Sequence, residues 1–450
     1  MAGEVTRTLH YWIEQPTKPA IIYDGRTNTR LIFLLRALME KGWFSAIYTS
    51  EEYASSSVKG GGNALVIGYY SERFEDALYE KAGRAIYINQ FERVKPGQVR
   101  DGYFPDVVFA DPDLILPMLY LALRERLDGV RATIHDLVKE FELCDATGKG
   151  VAHLVHTYKN MVRDRRCRRF FTISGAMTVA QMSLVICDMI DLEFTHSITA
   201  TGALMAHGLV HSAGLKHYKY DPRLNDRVLA EHKLNRVTDT IEPEENFDHI
   251  EKILNRVFEE INPAEVSSPR LINEMVGKRL REEYPHDRGI LRSAFEKRVP
   301  VFVPALIDSE ISNDLIVHNE RRLRKGIPRI VTDYEVDTKY RMQMKLEAEK
   351  IGIFTVGGGV PRNNDQNDAP LIEIMNERLG LEMPVKQFIY GGRIAPDALH
   401  FGGLGGCSYQ EGGSWRKMDL VNGIFSEVRS DATIVWPICV KFTMEERETA

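Results

Sequence analysis

Ile351-Gly-Ile-Phe-Thr-Val-Gly-Gly-Gly-Val360 reads as a buried β-strand that stops in three consecutive glycines. In open α/β sheets ligands bind outside the carboxyl ends of the strands, and glycines there let backbone amides approach a phosphate or ribose. A tight strand-to-helix turn would use the same residues, so two readings stand at this point. The G-x-G-x-x-G spacing is missing and no acid follows at the usual distance, so the common dinucleotide fingerprint is absent.

Working outward, further apolar strands are expected at Phe170–Ile173, Val301–Val303, Phe388–Tyr390 and Ala432–Trp436. A charged, helix-rich region is expected from about Asp221 to Lys297. The first third has its own alternation, with strands at Pro19–Tyr23, Phe44–Tyr48, Ala64–Gly68, Arg84–Ile88 and Asp106–Phe109. Helices at Arg30–Leu38 and Glu75–Lys81 and a loop at Gly60–Gly62 separate them. Such alternation implies parallel sheets covered by helices, an α/β fold. The chain has 450 residues, more than one hydrophobic core normally organises. A helix over Leu114–Leu127 joins the two series, so the expected division is an N-terminal α/β domain of unassigned role at 1–128 and a second α/β domain at 129–450.

A net charge of −6 argues against general nucleic-acid binding and suits a cationic substrate. Five scattered cysteines without a C-x-x-C pair give neither a disulfide framework nor a zinc site. The N-terminus lacks the apolar core of a signal peptide, and Leu114–Leu123 is too short to span a membrane. The expectation is a cytoplasmic protein without a membrane partner.

A second glycine-rich stretch, Gly402-Gly-Leu-Gly-Gly-Cys-Ser-Tyr-Gln-Glu-Gly-Gly-Ser-Trp-Arg-Lys417, ends in an acid, an indole and a lysine. A lysine held beside an indole loses solvation, which lowers its pKa and leaves a nucleophilic amine suited to imine chemistry. Thr172-Ile-Ser-Gly-Ala176 and Thr199-Ala-Thr-Gly-Ala203 also end apolar strands, as turns or as cofactor contacts. Asp308-Ser-Glu-Ile-Ser-Asn-Asp314 binds ammonium groups, opens a helix, or does both, with Asp308 capping or Asp314 pointing into a pocket. His207-Gly-Leu-Val-His211 has the spacing of a zinc helix but lacks the general-base glutamate and a third ligand, so it reads as structural and no metal site is expected. The basic run Arg163–Arg169 reads as a solvated helix face.

Taken together, five ordered blocks resemble the deoxyhypusine synthase family, especially its bacterial-type members, over residues 130–445. Glu411-Gly-Gly-Ser-Trp-Arg-Lys417 is similar to the family's E-A-x-S-W-G-K, with Gly412 and Arg416 as variants. The other blocks are Pro304–Glu310, Val356–Arg362, Asp397–Gly406 and Ser430–Pro437. The resemblance implies a Rossmann-like core, bound NAD and a homotetramer with active sites at subunit interfaces. It also implies a reaction on spermidine or putrescine. Hydride leaves the carbon beside the substrate amine for NAD, Lys417 captures the aminobutyl group as an imine, and an acceptor amine then displaces the lysine. Trp415 would pack along the polyamine, while Glu411 and Asp314 would hold its ammonium ends. Gly357, Gly358, Gly359, Asp308, Asp397, Asp431, Ser174, Thr201 and Gly202 would contribute to the NAD site.

Two departures bear on the acceptor. Asn363-Asn364 stands where eukaryotic and archaeal members carry a histidine, and Leu204-Met205-Ala206-His207 stands where they carry two adjacent glutamates. Both move the expectation from a protein lysine towards putrescine, as in homospermidine synthases. A non-catalytic NAD- or polyamine-binding regulator is the alternative from another class. Retention of Glu411, Trp415 and Lys417 weighs against it, because binding alone has no need of that amine.

Overall fold

A computed structural model describes residues 2–23, 29–57, 62–67, 82–89, 106–109, 112–175, 177–221, 224–262, 264–398 and 407–448. The expected helix Glu75–Lys81, the glycines Gly60 and Gly61, and the loop Gly402–Gly406 lie outside them. The chain forms two compact units, 1–155 and 156–450.

The first unit holds strands β1 (Ala20–Tyr23), β2 (Ile47–Thr49), β3 (Gly62–Ile67), β4 (Ala82–Asn89) and β5 (Asp106–Phe109). They pair in the order β2-β1-β3-β4-β5, parallel throughout. This is the order of a doubly wound sheet whose direction of growth reverses beside β1. Ile21, Ile22, Leu65 and Val66 are buried, as strands covered on both faces require.

The second unit holds a six-stranded sheet of β6 (Cys167–Ile173), β7 (Ser197–Ala200), β11 (Val301–Phe302), β12 (Lys350–Val356), β13 (Phe388–Ile394) and β14 (Ile424–Val428). The order is β11-β7-β6-β12-β13-β14, every pairing parallel. Successive strands run one way from β6 and the other way from β12, the Rossmann pattern, with its switch point between these two. Phe170, Phe171, Ile353 and Phe354 bury the sheet centre, and the Phe171 ring stacks on Phe354 at 6.2 Å.

Three elements differ from expectation. Ala432–Trp436 is the start of the helix Ala432–Glu448, not a strand. A five-residue apolar run cannot separate a buried strand from a buried helix. Ala432, Val435, Trp436 and Cys439 are buried at helical spacing, and Trp436 packs on Phe171 at 5.5 Å. The charged region also contains a small antiparallel sheet, β8 (Tyr218–Lys219), β9 (Leu234–Val237) and β10 (Thr240–Pro243), in the order β8-β10-β9. The basic run Arg163–Arg169 is a helix end, a turn and the start of β6 rather than one helix face. Buried Arg169 there donates to the carbonyls of Phe194 and Glu193 at 3.1 and 2.7 Å.

A buried ionic network fixes the helices behind the sheet's carboxyl edge. Arg341, on the helix Tyr334–Glu347, forks onto Asp368 at 2.9 and 2.7 Å. Lys345, one turn on, reaches Asp365 at 2.6 Å and Asp368 at 2.8 Å. Asp365 also accepts from Thr199 at the end of β7, at 2.8 Å. Two cations and two anions balance, which is what makes their burial tolerable.

Candidate active site

The residues expected to meet a cofactor sit past the carboxyl ends of the six-stranded sheet. β12 runs into Gly357 and Gly358, and the helix Gly359–Gln366 begins at once. Gly357 has φ 81°, and a Cβ there would run into Ser174 Oγ, so this position requires glycine. Ser174, just past β6, accepts from the Gly358 amide at 3.0 Å. The structure thus joins Ser174 and the triple glycine across the switch point. Gly359 has φ 60° and open space where its Cβ would be, a cradle at a helix N-terminus.

Past β7, Thr201 caps the helix Gly202–Ser212 by accepting from the Leu204 amide. An added Cβ on Gly202 would lie 2.6 Å from Ser309 Cβ, so the turn after β7 packs on the turn after β11. Ser309, not Asp308, caps the helix Glu310–Arg324, and Asp308 is exposed beside it. Asp397 follows β13 and is exposed. Asp431 follows β14 and accepts from the Thr433 amide and hydroxyl, both at 2.7 Å, so it caps the last helix.

Lys417 is held by backbone. The short helix Tyr409–Ser414 closes with the Lys417 amide donating to Gly412 O and the Arg416 amide to Gly413 O. This is a Schellman end, whose residue just past the cap is left-handed. That residue is Arg416, at φ 53°, where the family pattern has glycine. Lys417 O then accepts from the Phe388 amide, and the Asp419 amide donates to Phe388 O, both at 3.0 Å. The lysine backbone is therefore clamped to the start of β13.

The side chain enters a cavity of about 330 Å³ lined by Gly359, Arg362, Asn363, Glu411, Trp415 and Cys407, among others. Lys417 is only 8% exposed. Its Nζ donates to Asn363 Oδ1 at 3.1 Å and lies 5.7 Å from the Trp415 ring centroid. Burial lowers its pKa, and the like charge of Arg362 adds to the shift against weaker opposition from Cys407 and Glu411. Arg362 is buried, donates to Cys407 O at 2.6 Å and stacks over Tyr409 at 5.3 Å. Arg393 also donates to Cys407 O, so two guanidinium groups fix the start of the segment that carries the lysine.

The cavity joins Lys417, Trp415, Glu411 and Gly359 but not Asp314. Asp314 lies on the helix Glu310–Arg324, where burial and then the charge of Glu251 push its carboxyl up to about 6. Trp415 is 63% exposed, so the amine's seclusion within one chain comes from the Arg362–Asn363 side and not from the indole. Sequence reasoning assigned no role to Arg362, Asn363 as amine acceptor, or Arg393. Arg362 was inside a matching block, but nothing local showed that its charge would face the lysine. Larger cavities exist, such as one of about 470 Å³ lined by Arg270, Glu274 and Arg281, but none of its lining residues is a lysine.

Comparison with known proteins identifies relatives of this chain. The sequence profile described as deoxyhypusine synthase matches residues 136–443. A Methanosarcina acetivorans protein named "Probable deoxyhypusine synthase 1" is 32% identical over 308 residues, covering 68% of this chain and 90% of the relative. A Chlorobaculum parvum "Deoxyhypusine synthase-like protein" is 28% identical over 329 residues, covering 72% and 91%. A solved chain from Entamoeba histolytica, described as a "putative deoxyhypusine synthase", aligns at TM-score 0.48 and 12% identity, covering 70% of this chain and 94% of its own. Through the unit that carries Lys417, this chain belongs to the deoxyhypusine synthase family.

Proposed function

We propose that the protein is an NAD-dependent transferase that moves an aminobutyl group from spermidine or putrescine to an acceptor amine through an imine on Lys417. The observation that carries this reading is an enclosed lysine amine with a lowered pKa, in one cavity with an acid, an indole and a glycine-started helix. The fit of NAD is supported by the Gly359 cradle at the switch point and by Ser174 holding the loop beside it. NAD, when bound there, supplies reversible hydride acceptance. Ser174, Thr201, Gly202 and Gly357–Gly359 would line its site, with Asp308, Asp397 and Asp431 along the same sheet edge.

The chain's own groups do the rest. Burial and Arg362 favour the neutral form of Lys417, which attacks the oxidised substrate carbon and releases the leaving amine. Asn363 Oδ1 aims the amine. Glu411 holds a substrate ammonium, and Trp415 offers its ring to the methylenes and the cation. The test is reduction with borohydride in the presence of spermidine and NAD. A butylamine-sized mass increase on the peptide containing Lys417 is expected, and an unmodified peptide despite spermidine turnover would refute the lysine carrier.

Asn363 also favours a small acceptor. A carboxamide cannot take up and pass on a proton as an imidazole can, so activation of a protein lysine lacks its relay. Incubation with spermidine, NAD and putrescine is expected to yield homospermidine without protein-bound label. Label appearing on a protein acceptor instead would reverse this choice.

Replacing Arg362 by Gln removes the like charge that disfavours the Lys417 ammonium. The lysine pKa then rises, and the rising limb of the rate-against-pH profile moves to higher pH. An unmoved limb in R362Q, with imine trapping intact, would show that Arg362 does not tune the amine.

Homotetramer formation is supported by the surface beside the site. Trp415, Leu420, Val421 and Ile424 are exposed, Val421 at 91%. Clustered apolar exposure of this kind marks an association surface. Val421→Glu is expected to reduce the assembly state in light scattering while circular dichroism stays unchanged. A cytoplasmic setting accords with this reading. No helix among the described residues is long and apolar enough to cross a membrane.

A further inference from the structure

His207, one of the two histidines dismissed on sequence grounds, meets two other candidate ligands in the fold. His207, on the helix Gly202–Ser212, is not paired with His211 for this purpose but with His217, which precedes β8, and with Glu242 on β10. One donor atom from each lies within 4.8 Å of the others. His207 Nδ1 is 3.3 Å from Glu242 Oε2, and His217 Nε2 lies against the same oxygen. Glu242 is 0% exposed and the His217 side chain 1%. His217 Nε2 is fully enclosed and makes no hydrogen bond of acceptable geometry.

The surrounding network sets which nitrogens carry hydrogen. His211 Nε2 faces both His217 Nδ1 at 2.7 Å and the Gln181 amide nitrogen at 3.5 Å. An amide nitrogen only donates, so His211 Nε2 is the acceptor and His217 Nδ1 carries the hydrogen. His211 Nδ1 is engaged by Ser183 Oγ at 3.1 Å. With its hydrogen on Nδ1, His217 presents Nε2 to the carboxylate of Glu242. The other carboxylate oxygen, Oε1, is occupied by the Asn246 amide at 2.5 Å.

Three electron-pair donors thus converge largely shielded from solvent. One proton could reconcile one imidazole with the carboxylate, but a divalent cation reconciles all three at once. We propose that His207, His217 and Glu242 form a transition-metal site of the zinc class, with His211 orienting His217 through its other ring nitrogen. A hydrogen-bonded outer nitrogen of this kind is the usual support of a metal-bound imidazole. Two nitrogens and one carboxylate oxygen are a known zinc ligand set, and they leave a fourth position for water. The ion would tie the helix after β7 to the small antiparallel sheet. None of the three lines the Lys417 cavity, and the proposal does not depend on the transfer reaction.

The test uses the full chain, free of any histidine tag, purified from zinc-supplemented medium. Elemental analysis is expected to find about one Zn²⁺ per chain. After chelation, added Co²⁺ should give the visible absorption of a tetrahedral site, and Zn²⁺ should abolish it. Both signals should fall at least roughly tenfold in His217→Ala and in the near-isosteric Glu242→Gln, while Cys407→Ser keeps them. Wild-type protein with under about a tenth of an equivalent of zinc and no cobalt spectrum would overturn the proposal, whatever the variants do. Full metal retention in both H217A and E242Q, or its loss in C407S, would overturn it equally by moving the ion elsewhere.

Discussion

Lys417→Ala is expected to lower amine transfer by roughly three orders of magnitude or more while leaving NAD affinity within about twofold of wild type. Removing the amine deletes the proposed covalent carrier, but the residues proposed to face the cofactor, Ser174 and Gly357–Gly359, follow other strands and do not depend on that side chain. Lys417→Arg should fail as completely, since a guanidinium in a protein is not deprotonated and cannot attack. The pair of variants separates nucleophilicity from charge. Rapid-quench product analysis with spermidine measures the loss, and nucleotide titration by fluorescence measures what survives. Transfer retained by either variant would remove Lys417 from the chemistry.

Asp368→Asn is expected to destabilise the second unit by about 3–5 kcal/mol, the cost of leaving a buried charge uncompensated. Arg341 and Lys345 both converge on this carboxylate, and its loss leaves Lys345 paired with Asp365 while Arg341 keeps the less direct charges of Asp365 and Asp337. Denaturant unfolding measures the change. The double variant Lys345→Met with Asp368→Asn restores charge balance and should recover much of the loss, whereas additive losses would mean that the pair is not coupled. Burial by itself would raise the Asp368 pKa, but Lys345 and Arg341 outweigh it and hold the carboxyl below its ordinary value. A depressed folded pKa contributes stability that is present above the unfolded value and lost as pH falls through the folded one. Wild type should therefore lose this contribution on acidification below the ordinary carboxylate range, and D368N should show a flatter acid limb. Activity should fall with stability, because Arg341 also holds Asn364 at 2.5 Å, next to the asparagine that receives the lysine amine.

Much of this could be read from the residues, for identifiable reasons. β6 and β12 are apolar runs long enough to declare themselves, and the glycines after β12 are demanded by a left-handed backbone at Gly357. The E-x-x-S-W-x-K block singled out a lysine that the structure places in a cavity shared with Gly359. Ala432–Trp436 misled because burial on a helix and burial in a strand look alike over five residues. The environment of Lys417 was legible only in part. Trp415 was expected to shield it, yet Arg362 and Asn363 do so, reaching it from a helix more than fifty positions away in sequence. The same limit hid Glu242 and His217, because no spacing rule connects a helix to an edge of a separate small sheet.

The clamp between Phe388 and the backbone of Lys417 and Asp419 separates two things that evolution can vary. The position of Lys417, the proposed nucleophile, depends on main-chain atoms at the base of β13, which side-chain replacement scarcely disturbs. Asn363, the residue proposed to bias the choice of receiving molecule, hangs from the helix Gly359–Gln366 and can drift. A lineage could thus exchange a macromolecular recipient for a metabolite by editing a few wall residues, with the covalent step inherited intact.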